Sequence, residues 1–289
     1  MKKYLQLAAQ IVRFGTLKGH GRNFRKSRAR SLESLQEFVP QNVQAGSEAK
    51  ADSDKQSSLN NLTGQLAFIR HAFKTKGGHL CASDLAYVRI PKAANTSISY
   101  AMLIKKYPSL AAKDPDETQI NFLTDVNLKT VSETESETIF TVVRNPFARL
   151  VSVYRDFFEN NDSDFLYADY LFGILKPEIS FAEFVSRISR IPDRLKDQHF
   201  RPQHLFVQPY EKSGHAVKWF KLEEPETLGQ FLREHDMKLV HRNRSRDDYR
   251  YEEYYTSELL EQVYEMYYSD IKKFGYQSQY EVLRAGLRA

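Results

Sequence analysis

The stretch Thr138-Ile-Phe-Thr-Val-Val-Arg-Asn-Pro-Phe-Ala-Arg-Leu-Val-Ser-Val-Tyr-Arg-Asp156 decides how the chain folds. Its opening run, Thr138 to Val143, is rich in β-branched side chains, which suit a pleated and buried strand. Arg144 and Asn145 interrupt the apolar run, and Pro146 fits the first position of a helix, where its missing N–H would be unsatisfied in any case. Phe147, Leu150, Val151, Tyr154 and Phe158 then recur at i, i+3, i+4, i+7 and i+11, which is one apolar stripe of a helix.

Upstream, Leu85-Ala-Tyr-Val-Arg-Ile90 reads as a second short buried strand, after which Pro91 turns the chain. Ile98, Met102 and Leu103 mark a helix that Pro108 stops. Downstream, Phe181 to Ile188 reads as a helix, Val217 to Phe220 as a strand and Pro225 to His235 as a helix. Ser257 to Phe274 reads as one long helix that turns Leu260, Val263, Tyr267 and Ile271 inward. Strands alternating with helices imply an α/β fold, a mainly parallel β-sheet flanked by helices. No internal repeat stands out.

The chain has 289 residues, enough for one large domain or two small ones. With 42 Lys plus Arg against 37 Asp plus Glu, the net charge of +5 leans toward anionic partners without the excess of a nucleic-acid coating protein. A single cysteine, Cys81, excludes an intramolecular disulfide framework and a zinc site built on several thiolates, so a reducing, cytoplasmic compartment is expected. No run approaches the roughly 18 to 20 uninterrupted apolar residues that span a bilayer. Residues 1–39 form a basic segment, with Lys18, Arg22, Arg25, Lys26, Arg28 and Arg30 following an amphipathic start. It reads as a solvated tail, or as a peripheral contact with the inner membrane surface. Residues 40–64 are polar and poor in large apolar side chains, a linker, and the catalytic domain is expected over 65–289.

In open parallel sheets, ligands bind beyond the carboxyl ends of strands, where loops feed helix N-termini. Pro91-Lys-Ala-Ala-Asn-Thr-Ser97 sits at one such place. Small residues admit close approach, amides at a helix start favour an anion, and Lys92 adds a full charge. The spacing is not that of the nucleoside-triphosphate P-loop. Read alone, the same residues also suit a helix N-cap at Thr96 or Ser97 beside a surface lysine. Arg144 stands at the end of the next strand and Ser152 two turns into its helix, so a guanidinium and a hydroxyl could share one phosphate. Arg149 and Arg155 are expected to face solvent or a carboxylate such as Asp156.

Ile90 to Ser97 resembles the 5′-phosphosulfate-binding loop of the sulfotransferases, and Val143 to Tyr154 resembles their 3′-phosphate-binding motif. Within the family the chain is most similar to carbohydrate sulfotransferases of the chondroitin 4-O and HNK-1 type, whose pattern is nearly reproduced through Asp156. The likeness continues through Ser180 to Val185, a Gln198-His-Phe-Arg-Pro-Gln203 segment, and a closing pattern of tyrosines with a Tyr-x-x-Asp ending at Tyr276. It covers roughly residues 81 to 277. The paired cysteines and membrane anchor of the Golgi enzymes are missing, and sequons at Asn95 and Asn243 fall inside these segments, which together point to a soluble bacterial relative.

The resemblance implies a P-loop-like sheet, 3′-phosphoadenosine 5′-phosphosulfate (PAPS) as co-substrate, in-line transfer to a hydroxyl of a glycan or glycoconjugate acceptor, and no metal. It assigns the phosphosulfate to Lys92, Ala93, Ala94, Asn95, Thr96 and Ser97, and the 3′-phosphate to Arg144 and Ser152. Lys92 is the catalytic cation. His199, in the matched His-x-x-Pro segment, is the expected general base, with Asp156, Glu159 and His204 as alternatives. Arg187, Arg190, Arg194, Lys196 and Arg201 are expected to form a solvated face. His241, Arg242, Arg244 and Arg246 are expected to touch donor or acceptor. Two other readings remain: a sulfotransferase or P-loop-like kinase acting on a lipid, protein or small molecule, and a non-catalytic binder of nucleotide or acidic polysaccharide.

Overall fold

The computed structural model describes residues 78–135, 138–159, 175, 179–239 and 250–287. The basic segment 1–39, the linker 40–64, the start of the catalytic domain and the cluster from His241 to Arg246, with its sequon, lie outside the described residues.

A four-stranded sheet has the order β1-β2-β3-β4, with β1 His79–Ala82, β2 Leu85–Val88, β3 Thr138–Val143 and β4 Val217–Lys221. The hairpin pair β1 and β2 is antiparallel, whereas β2 with β3 and β3 with β4 are parallel. The fold is therefore α/β with a mostly parallel sheet flanked by helices. The β-branched run of β3 spans its expected residues and is buried from Ile139 onward. In register, Thr141 pairs with Val88 on one side and Trp219 on the other, and its hydroxyl donates to the Val88 carbonyl at 2.7 Å. Aromatic contacts between Tyr87 and Phe140 (5.3 Å between ring centroids) and between Phe140 and Phe231 (5.0 Å) pack the sheet centre.

Each parallel strand feeds a helix. After β2 come α1 (Asn95–Lys106) and α2 (Glu117–Asn127), which enclose a small separate core of Tyr100, Leu103, Leu110, Ile120 and Leu123. After β3 comes α3 (Pro146–Tyr154), begun as the sequence suggests by Pro146 and capped by the Asn145 side chain, which accepts from the Phe147 amide. α3 runs into a π-helical turn at Arg155–Glu159. Then follow α4 (Phe181–Ser189), α5 (His204–Lys212), and, after β4, α6 (Pro225–Glu234).

The single long helix expected at Ser257 to Phe274 is two helices, α7 (Ser257–Met266) and α8 (Tyr268–Phe274), broken at Tyr267. Neither glycine nor proline marks the break. Tyr267 leaves helical geometry (φ −112°, ψ 19°) while its buried hydroxyl donates to the carbonyl of Phe200, a tertiary contact that local periodicity does not reveal. Gly275, at φ 69°, ends α8 in the left-handed region, and α9 (Gln277–Gly286) follows. No helix among the described residues is long and apolar enough to cross a membrane.

Candidate active site

The turn after β2 carries two residues in the left-handed region, Lys92 at φ 65° and Ala94 at φ 55°, with the fully buried Ala93 between them. Each costs an L-residue on the order of 1 kcal/mol. Alternation of this kind curls successive amides into a concave anion-binding surface. Ala94 itself is the N-cap of α1, and no side chain caps the first turn. Thr96 and Ser97 thus lie inside the helix, where Thr96 donates to Glu117 and Ser97 is buried, rather than serving as its N-cap. Ser99 donates to the side chain of Asn95.

The side chain of Arg144 crosses from the end of β3 to the same turn, its Nη1 donating to the Lys92 carbonyl at 3.2 Å. Its backbone is held by the Gln203 side chain, whose Oε1 accepts from the Arg144 amide (2.9 Å) and whose Nε2 donates to the Arg144 carbonyl (2.8 Å). Gln203 is in turn anchored by Asp270, a fully buried carboxylate that accepts from the amides of Gln203 (2.6 Å) and His204 (2.8 Å). The Tyr-x-x-Asp of the closing segment therefore fastens the residue that holds Arg144.

Lys92 pairs through Nζ with Asp156 at 2.5 Å, and both side chains retain access to solvent. The π-helical turn that carries Asp156 also carries Phe157, whose ring meets the imidazole of His199 edge-on at 5.1 Å. His199 Nδ1 lies 2.6 Å from Asp197 Oδ1, which also accepts from the His199 amide. An ionised carboxylate only accepts, so Nδ1 carries the proton and Nε2 of the neutral ring is left as the basic atom. Of the alternative bases, Asp156 is engaged with Lys92, Glu159 accepts from the Tyr254 hydroxyl and from Arg155, and His204 binds the buried Asp270 through Nδ1. Ser152 is half-buried on α3, one turn beyond Arg149.

Two expectations need correction. Arg149 does not face solvent or a carboxylate: its side chain is buried, with 2% of the residue exposed, and donates to three backbone carbonyls, Pro91 (3.0 Å), Arg201 (2.9 Å) and Gln198 (3.1 Å). Burial pulls its pKa downward. The reason is that α3 is enclosed on nearly every side, so a residue off the apolar stripe is still inside the protein. Arg155 faces a carboxylate as expected, pairing with Glu159. Within the cluster expected to be solvated, Lys196 and Arg201 are buried, Arg201 donating twice to the Lys196 carbonyl.

Sequence reasoning thus missed Arg149, Asp197, Gln203, Tyr267 and Asp270. For Asp270 a signal was present, since a carboxylate stands on the apolar stripe of Tyr267, Ile271 and Phe274. Among the described residues no group of three or more His, Cys, Asp or Glu side chains stands where it could hold a metal ion. The strained turn and uncapped start of α1 fit an anionic group such as a phosphosulfate.

A model of the sulfotransferase family matches residues 82–277, about two thirds of the chain. Comparison with curated proteins and with solved structures found no match. The matched span contains the left-handed turn, the Arg144 loop, the His199 segment and the helix that locks them together, and on that basis the chain belongs to the sulfotransferase family.

Proposed function

We propose that the protein transfers a sulfuryl group from PAPS to a hydroxyl of a carbohydrate or glycoconjugate. The observation that carries this reading is the 3.2 Å contact between the Arg144 guanidinium and the Lys92 carbonyl, which joins the two anion-binding loops at one end of adjacent parallel strands. The carbohydrate acceptor is supported by the likeness of Val143 to Asp156 to the chondroitin 4-O and HNK-1 type enzymes.

When bound, the co-substrate supplies the sulfuryl group and a bisphosphate leaving group. Lys92 and the turn from Ala93 to Ser97 would hold its 5′ end, and Arg144 with Ser152 its 3′-phosphate. Lys92 exchanges the Asp156 carboxylate for the phosphate and neutralises charge as it gathers on the leaving oxygen. His199 takes the proton of the acceptor hydroxyl at Nε2, and Asp197 steadies the imidazolium that forms. Holding the reactants in line contributes the rest.

Thermal shift and calorimetry with 3′,5′-bisphosphoadenosine, 5′-AMP and ATP test the donor. At about 100 times its Kd the bisphosphate should add about 2.7 kcal/mol of stability, a shift of roughly 5–10 °C, and ATP should add little. Arg144→Ala should abolish the preference for a 3′-phosphate. Transfer of label from PAPS to unsulfated glycans, read by mass spectrometry, tests the acceptor. Equal binding of 5′-AMP and the bisphosphate to the unmodified protein would refute the donor assignment.

A further inference from the structure

The segment from Lys196 to Gln203 has its carbonyl groups gripped from three directions. Lys196 accepts from Arg201 Nε (3.0 Å) and Nη2 (2.9 Å), Phe200 accepts from the Tyr267 hydroxyl (2.6 Å), and Gln198 and Arg201 both accept from Arg149. The third arm of the Arg149 guanidinium donates to Pro91, the residue before Lys92. A guanidinium is a rigid planar fork, so contacts at Nε, Nη1 and Nη2 fix both the separation and the relative orientation of the groups they meet. The residues next to those anchors are Lys92 on one side and His199 on the other. Taking so polar a group out of water is expensive, and an apolar side chain would fill the same volume without that cost. An apolar side chain would not, however, set the spacing between two loops.

We propose that Arg149 is a positioning residue of the transfer reaction, fastening the His199 turn to the donor turn so that the imidazole stands at a fixed place relative to Lys92. Tyr267 holds the same turn through the carbonyl of Phe200. The inference rests on the reading of His199 as the base. Displacement of a catalytic group by about 1 Å costs roughly 10²-fold in rate, and this is the scale expected when the fork is replaced by a single ammonium.

A double-mutant cycle tests it. Turnover of PAPS to 3′,5′-bisphosphoadenosine is measured with unsulfated chondroitin, or water alone, as acceptor, for the unmodified protein, Arg149→Lys, His199→Ala and the double variant. Arg149→Lys should lower kcat by about 10²-fold in the unmodified background and by less than about 3-fold in the His199→Ala background, because residues that act through one another are not additive. An equal loss in both backgrounds overturns the proposal and leaves the base assignment standing. Full turnover by His199→Ala overturns the base assignment and the proposal with it, and absence of turnover by the unmodified protein overturns the donor reading and both that follow from it. Should Arg149→Lys fail to fold, Tyr267→Phe takes its place. It should slow the reaction about 10-fold in the unmodified background and leave His199→Ala unchanged, equal slowing in both being again the contrary result.

Discussion

Replacement of Asp270 by Asn changes neither the size nor the shape of a side chain that is fully buried. It does remove one acceptor oxygen and the charge. The carboxylate accepts from the Gln203 amide at 2.6 Å and the His204 amide at 2.8 Å, and meets the His204 ring at 2.7 Å. A carboxamide offers one carbonyl to these partners and turns an NH2 toward the others, so at least one buried N–H is orphaned. Hydrogen bonds to a charged group contribute about 1.5–3 kcal/mol each, and an orphaned buried donor costs about 1–3 kcal/mol. The expected loss for Asp270→Asn is therefore about 3–5 kcal/mol, or roughly 6–20 °C in Tm for a domain of this size. Thermal denaturation followed by circular dichroism reads it directly. Because Gln203 holds both backbone groups of Arg144, the KM for PAPS should rise more than kcat falls. A variant melting within 2 °C of the unmodified protein, with an unchanged KM, would refute the chain of support from Asp270 through Gln203 to Arg144.

His79 is buried on β1 beside the Tyr210 hydroxyl, and burial, helped by the repulsion of Lys129, lowers its pKa to about 4. The unfolded chain, with a pKa near 6.5, binds a proton that the fold refuses, so the stability is fully present above about pH 6.5 and is lost as pH falls through the window toward about 4. Between pH 7.5 and 5 this should cost the unmodified protein about 2 kcal/mol more than His79→Gln, seen as a steeper fall in Tm, and parallel Tm profiles would contradict it. Asp156→Asn releases Lys92 from a solvent-accessible pair whose worth is about 0.2–1 kcal/mol, so 3′,5′-bisphosphoadenosine should bind up to about 5-fold more tightly, most clearly at low salt. Calorimetry showing weaker binding would mean that Asp156 supports the lysine rather than competing for it. Ala94→Gly relieves a left-handed alanine at φ 55° and should raise stability by up to about 1 kcal/mol, whereas a fall in Tm of more than 2 °C would show that the methyl group packs usefully.

Three of the four strands were legible because they announce themselves, whereas the short antiparallel β1 was not read from the sequence. The β-branched run at Thr138–Val143 and the helix start at Pro146 stand where local preference puts them. The meeting of the Lys92 and Arg144 loops was legible as well, since parallel neighbours must place their carboxyl ends together. What escaped notice depends on partners far away in sequence. Arg149 looks like a surface residue until the enclosure of α3 is known, although a helix in which six of nine residues are Phe, Ala, Leu, Val or Tyr left little solvent for it to find. Tyr267 interrupts a helical pattern for the sake of a carbonyl 67 positions earlier, and no local propensity records that. Asp197 stands only two residues before His199, but its orienting role depends on a turn that brings one carboxylate oxygen onto both the ring and the amide of His199, which spacing alone does not specify.

Tyr267 and Asp270 stand nearly at the far end of the matched region, beyond every side chain expected to meet donor or acceptor. A fragment ending at Thr256 would retain each of those side chains and still forfeit the hydroxyl on Phe200 and the carboxylate beneath Gln203 and His204. The carboxy-terminal helices accordingly act as the clasp of a belt whose working parts are stitched elsewhere, and trimming them is equivalent to cutting through the buckle.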